Sequence, residues 1–144
     1  SIGAKVEGYS TSLGRPVVLG HCPDDIRRFL QVGLDALNMT FDEMRAGRLA
    51  SDVAKKVHGY IHEQGYGDAI LYGPAHGCGQ MECEYPFLET SSAYTLEENM
   101  TFMADMFLHR GGMGFRWEDG LIVRKDAPAE QLSCLGRELN ILKV

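Results

Sequence analysis

Three polar residues stand in settings that demand an explanation: His76, Asp105 and Glu118. His76 lies in Ala75-His76-Gly77-Cys78-Gly79, where two glycines let other groups come close to the backbone. Such a histidine serves as a ligand or acid/base group, or it is simply a loop residue bonded to a nearby carbonyl. Asp105 sits in Phe102-Met103-Ala104-Asp105-Met106-Phe107. A lone carboxylate between apolar neighbours needs a partner or must neutralise itself, unless it points outward from an edge. Glu118 follows Phe115-Arg116-Trp117. Strand alternation puts Arg116 and Glu118 on one face and Phe115 and Trp117 on the other. The plain alternative is an ion pair of little energetic worth.

Order strengthens these signals. The run Met100 to Leu108 reads as a strand with Thr101, Met103, Asp105 and Phe107 on one face. Gly111-Gly112-Met113-Gly114 reads as a turn. Phe115 to Lys125 then reads as one or two strands, broken near Asp119-Gly120. Strands joined by so short a turn should pair and bring the two carboxylates together. That would build part of a metal site or a carboxylate pair that grips a cation.

The elements that must carry these residues are legible in outline. Ile2 to Tyr9 reads as a strand and Pro16 to Gly20 as a second, with a turn at Gly8 and Ser10-Thr11-Ser12, making a hairpin. Pro23-Asp24-Asp25 opens a helix that Asp24 or Asp25 can cap, with Ile26, Phe29, Leu30, Gly33, Leu34 and Leu37 at helical spacing to about Met44. A second helix starts near Ser51-Asp52, shows Val53, Val57, Tyr60 and Ile61 on one stripe and stops at Gly65. Ile70-Leu71-Tyr72 reads as a short strand, Glu89 to Glu98 as a loop and Leu132 to Leu139 as a last short element. The pattern is an α+β domain with a mostly antiparallel sheet.

Composition bounds what such a domain does. The 144 residues suit one domain, and 44% hydrophobic with 24% charged residues excludes a disordered or low-complexity chain. Fourteen Lys+Arg against twenty Asp+Glu give a net charge of −6, and no basic run offers a face to DNA or RNA. The longest apolar runs, such as Leu121-Ile122-Val123, are far too short to span a bilayer, and the start does not read as a signal peptide. Cys22, Cys78, Cys83 and Cys134 form no CxxC pair, which points to free thiols in a reducing, cytoplasmic setting. The chain opens on Ser1-Ile2-Gly3 without an initiator Met and enters strand-like sequence at once, as a piece of a longer protein would.

The ordered set Ile2-Gly3-Ala4…Gly8-Tyr9, two helices, His76-Gly77-Cys78-Gly79, Asn99-Met100-Thr101-Phe102 and Gly114-Phe115-Arg116-Trp117-Glu118-Asp119 resembles the pita-bread catalytic domain of the creatinase, prolidase and methionine aminopeptidase superfamily. The resemblance spans nearly the whole chain, and Tyr72-Gly73-Pro74-Ala75-His76-Gly77 is similar to members labelled Xaa-Pro peptidase-like. It implies that residues 1–144 are the C-terminal part of one such domain, with a curved, mostly antiparallel sheet and helices on its outer face. The metallopeptidases of the superfamily hold two metal ions with Asp, Asp, His, Glu and Glu. By the resemblance these positions fall on Ser1, Ser12, His76, Asp105 and Glu118. A substrate-binding histidine of the family falls near Cys83, in Glu82-Cys83-Glu84.

Serine hydroxyls are poor ligands for divalent cations, so a dinuclear site is not expected, and a single ion on His76, Asp105 and Glu118 is the residual metal possibility. The expectation is therefore a hydrolase of C–N bonds without a dinuclear site, creatinase-like or an Xaa-Pro peptidase relative. His76, Asp105 and Glu118 would do the chemistry. Glu82, Cys83 and Arg116 would contact a small-molecule or dipeptide substrate. Two alternatives stand beside it: a metal-dependent Xaa-Pro dipeptidase, and a non-catalytic domain that binds peptides or proteins in the same cleft. The resemblance also implies a homodimer, or association with a missing N-terminal part. No nucleic-acid or membrane partner is expected.

Overall fold

The computed structural model describes all residues, Ser1–Val144. In chain order the elements are β1 Ile2–Val6, β2 Tyr9–Leu13, β3 Val17–Leu19, α1 Asp24–Glu43, α2 Ala50–Glu63, β4 Ala75–Gly77, β5 Glu84–Leu88, β6 Thr101–Arg110, β7 Met113–Ile122, β8 Glu130–Gln131 and β9 Asn140–Leu142. Five strands form one antiparallel sheet in the order β5-β4-β6-β7-β8. Its centre is the ten-residue hairpin β6–β7, turned at Gly111 and Gly112, both in the left-handed region.

Alternation along β6 and β7 sorts the side chains into two faces. Ala104, Met106, Leu108, Phe115 and Trp117 join the apolar stripes of α1 and α2 in a single core. The stripes are Phe29, Leu30, Leu34, Leu37 and Phe41 on α1, and Val53, Ala54, Val57 and Ile61 on α2. Gly33 lets α1 sit close to the sheet, since a Cβ there would lie 2.5 Å from Phe115 Cε2. The fully buried Trp117 ties helix to strand by donating its Nε1–H to Leu30 O at 3.1 Å. Truncating an aromatic at such a position costs about 3–5 kcal/mol. The opposite face of the hairpin carries Met103, Asp105, Phe107, Arg116 and Glu118, and this is the face that matters for chemistry.

Several local expectations change. The opening hairpin is tighter than the sequence reading: β1 pairs with β2 about a turn at Glu7-Gly8, from Ile2↔Leu13 to Val6↔Tyr9. β3 instead lies parallel to β9, with Val17↔Asn140. The last element is not one segment over Leu132 to Leu139 but two short strands on either side of it. Ile70 to Tyr72 forms no strand. Ile70 makes only an isolated bridge to Leu108, after a 3₁₀ turn at Gly67–Ala69. β7 runs unbroken through Asp119-Gly120, because β6 pairs with it along its entire length. His76 sits on a strand rather than a loop, and β5 occupies a stretch with no strand expectation. Asp24 and Asp25 lie within the first turn of α1 and make no capping hydrogen bond, so they act through the helix dipole alone.

Candidate functional site

The carboxylates meet as the turn requires. Asp105 and Glu118 are directly opposite in the β6–β7 register, and His76 lies opposite Met103 on the next strand. Gly77 makes this possible on the other side of β4. The register slips between His76 and Gly77, and a Cβ at Gly77 would fall 2.6 Å from Tyr85 O. The hairpin β1–β2 approaches from below: Gly14 exchanges two backbone hydrogen bonds with Glu118, each 3.0 Å. That contact aims Ser12 at the sheet, and Ser12 Oγ donates to Glu118 Oε2 at 2.7 Å.

A cavity of about 340 Å³ opens above this face. His76, Glu82, Cys83, Asp105 and Arg116 all line it, together with Tyr72, Phe87 and Glu89. Glu118 lies beneath, fully buried, with Oε1 lacking any hydrogen-bond partner. All six residues singled out from the sequence therefore converge on one place. Two further residues there are Tyr72 and Glu89. The Tyr72 hydroxyl donates to Asp105 Oδ2 at 2.7 Å and accepts from Arg116 Nη2 at 2.9 Å. Neither Tyr72 nor Glu89 carries a spacing signal; each reaches the cleft through a loop or the end of a strand.

The electrostatics divide the site into two ends. At one end Asp105 is held by Tyr72 and by Arg116, whose Nε is 3.1 Å from Oδ1. Burial pushes the Asp105 carboxyl above its usual range; the Tyr72 hydrogen bond opposes this, Glu118 adds to it, and Arg116 and His76 pull back. At the other end lie His76, Glu82 and Glu118. His76 Nδ1 is 3.1 Å from Gly77 O, a carbonyl that can only accept. A proton therefore belongs on Nδ1, which leaves Nε2 facing the cleft, 3.8 Å from Asp105 Oδ2. Burial and the adjacent Glu118 carboxylate push Glu82 upward. Cys83 is exposed at the rim, and burial of its sulfur, with Glu82 next, raises its thiol. A raised thiol is a poor nucleophile and a poor metal ligand.

The sheet, its two helices and this cleft define an α+β domain of the pita-bread type, with an acidic, histidine-bearing pocket on one sheet face. The profile of metallopeptidase family M24 matches residues 1–125, and the chain belongs to that family. It is 26% identical over 140 residues to the Xaa-Pro dipeptidase of Pyrococcus furiosus, covering 96% of this chain and 40% of that one. Among solved structures, a dipeptidase from Pyrococcus horikoshii superposes with a TM-score of 0.89 at 29% identity, over 97% of this chain and 39% of the other. A prolidase from Thermococcus sibiricus does so with a TM-score of 0.90 at 26% identity, over 97% and 38%. The chain thus spans about two-fifths of the length of the relatives it matches. No helix in it is long and apolar enough to cross a membrane.

The family implies metal, and the residues present can be tested against that. A two-ion site does not fit. The resemblance places Ser1 and Ser12 where two anionic ligands would stand, and Ser12 spends its hydrogen bond on Glu118. Asp105 is already paired with the Arg116 guanidinium. A one-ion site does fit: single donor atoms of His76, Glu82 and Glu118 lie within 4.8 Å of one another. One nitrogen and two carboxylate oxygens suit a first-row divalent ion.

Proposed function

We propose that this chain carries the substrate face of a hydrolase that cleaves a C–N bond in a small molecule bearing a protonated nitrogen, without a dinuclear metal pair. One observation supports this above the others. The cavity is lined by Glu82, Glu89, Asp105 and His76, with Arg116 as the only Lys or Arg. Its volume suits a molecule of dipeptide size, and its charge suits an amino terminus, a guanidinium or an amidinium, the last two through bidentate hydrogen bonds.

In this reading the two ends have separate work. Asp105, oriented by Tyr72 and Arg116, fixes the cationic nitrogen together with Glu89. His76 Nε2 and Glu118 Oε1 face the reacting bond: Glu118 Oε1 has no hydrogen-bond partner, and His76, held through Nδ1, has only the Asp105 carboxylate near its Nε2, at 3.8 Å. A group held there in a near-attack position gains rate from orientation alone. Glu82 and Cys83 close the rim beside the substrate. The likeness to an Xaa-Pro dipeptidase makes short peptides the first substrates to try, and the carboxylate pair makes guanidino compounds the second.

The test is a substrate panel on the full-length protein: Xaa-Pro dipeptides, guanidino compounds, and the N-acetylated dipeptides, whose amino-terminal nitrogen carries no charge. Turnover of a cationic member with at least tenfold loss on acetylation is expected, that being the roughly 1.4 kcal/mol that one good contact supplies. Equal turnover of free and acetylated dipeptides would overturn the cationic reading. Absence of turnover across the panel would leave a binding module in its place.

A further inference from the structure

We infer that the cleft holds one divalent cation rather than the pair the resemblance implies, on His76, Glu82 and Glu118, with the Arg116 guanidinium as the only other positive charge against the carboxylates. Three observations carry this. Donor atoms of the three residues converge within 4.8 Å. Glu118 is fully buried, and its Oε1 is without a partner, bordering that cluster. His76 is fixed through Nδ1 to Gly77 O, which leaves Nε2 as a preoriented donor, as histidine ligands are usually held.

Glu82 is the residue that distinguishes this site. The five positions carried over from the family do not include it. It stands in the loop before β5, one residue from the position where the resemblance puts a histidine. Asp105, which those positions do include, lines the same cleft with Oδ2 3.8 Å from His76 Nε2, but it falls outside the converging cluster and is already paired: Tyr72 donates to Oδ2, and Arg116 Nε lies 3.1 Å from Oδ1. A carboxylate is thus exchanged for another, and a cation for a guanidinium. The arithmetic of charge is consistent. Glu82 and Glu118 balance one divalent ion, and Arg116 balances Asp105. A second ion would bring two further positive charges to a place where the hairpin offers only hydroxyls.

A cation so held supplies a Lewis acid at the end of the cleft where the C–N bond is proposed to break. The inference deepens the hydrolase reading at its reacting end and rests on that reading for its purpose. Its test is binding, so the two fail separately. Full-length protein stripped of metal is titrated with Co²⁺, followed by calorimetry and by the visible d–d absorption that reports coordination. The same titrations are run on Glu82→Gln, Glu118→Gln and Asp105→Asn. Unfolding curves show which variants are folded; Glu82 lies in a half-exposed loop and tolerates the change.

One Co²⁺ per chain is expected, with a tenfold or greater loss of affinity in E82Q and E118Q and an altered absorption band in each. Losing an outer partner of a metal site already costs roughly 10–100-fold. D105N is expected to keep its affinity within about threefold, and a double variant with Ser1→Asp and Ser12→Asp to take up a second ion. Two ions per parent chain, no binding at millimolar Co²⁺, or an E82Q titration matching the parent would each overturn the assignment. One ion bound without turnover of any substrate would overturn the hydrolase reading and leave this one standing.

Discussion

Glu118 and Asp119 are neighbours on β7, both fully buried, and they face opposite sides of the sheet. Asp119 looks toward the helices and is closed in by positive charge. Arg15 pairs with its Oδ2, which Ser133 Oγ also reaches at 2.7 Å. The same guanidinium donates to Glu118 O at 2.7 Å, Gly136 O at 3.0 Å and Leu135 O at 3.2 Å. Arg15 thereby clamps the opening segment, β7 and the tail before β9 into one unit. Glu118 looks into the cleft. It has a serine hydroxyl on one oxygen and nothing on the other, just as Asp119 Oδ1 has no partner, but its nearest guanidinium is that of Arg116, with Nη1 4.0 Å away and Nε paired with Asp105. Burial alone therefore does not separate a structural carboxylate from a functional one. The countercharge differs: Asp119 is paired with Arg15, whereas Glu118 has only the distant Arg116, as its proposed role at the reacting end requires.

The contrast predicts opposite outcomes for two adjacent substitutions. Asp119→Ala strands the buried Arg15 guanidinium and should destabilise the chain by about 3–5 kcal/mol, read from urea unfolding. Glu118→Gln keeps the shape and removes an undercompensated charge, so stability should stay within about 1 kcal/mol of the parent. Turnover in E118Q should instead fall by roughly 10²–10⁴-fold, the range expected for a group acting on the reacting atoms. Equal loss of stability in both variants would abolish the distinction between the two faces.

A smaller effect sharpens the same comparison within the cleft. Tyr72→Phe removes the hydroxyl that donates to Asp105 and accepts from Arg116. Asp105 keeps Arg116, whose side chain is 37% exposed, against 9% for Arg15. Water can replace the lost hydroxyl here as it cannot beside Asp119. The cost should be about 1 kcal/mol in unfolding, with a rise in KM larger than the fall in kcat if Tyr72 only orients the binding end. A kcat loss with KM unchanged would place Tyr72 at the reacting end instead.

The parts of this arrangement that the sequence discloses are those written in local spacing. Period-two alternation and a glycine turn are enough to pair Asp105 with Glu118 and to put Arg116 beside them, since a two-stranded hairpin leaves little freedom of register. The two helices follow in the same way from their apolar stripes. Tyr72 escapes because it reaches Asp105 across 33 residues from a segment that forms no strand. β3 escapes because its partner β9 lies at the far end of the chain, and no local pattern distinguishes a parallel pair from a hairpin. Asp119 shows the limit most plainly. Alternation puts it on the apolar face, but only the distant Arg15 and Ser133 explain how a charge survives there.

The smallest effect concerns the underside of the cleft, where His58 on α2 is half-buried with Nε2 lacking a partner. Burial lowers its pKa below the usual 6.5, the contact with the Tyr72 backbone and the charge of Glu89 opposing this and His62 adding to it. The folded chain therefore disfavours the imidazolium, and the unfolded chain binds the proton more tightly. Stability from this group is complete above about pH 6.5 and is lost as the pH falls through the lowered value. Asp105 and Glu82 act in the other direction, because burial raises both and protonation then favours the folded state. The net profile mixes the two signs, so the difference between parent and His58→Gln isolates the histidine. The gap between their urea midpoints should shift in favour of H58Q as the pH is lowered from about 7.5 to about 5. A gap independent of pH would show that His58 keeps the same affinity for its proton on both sides of the folding transition, and that Glu89 compensates its burial in full.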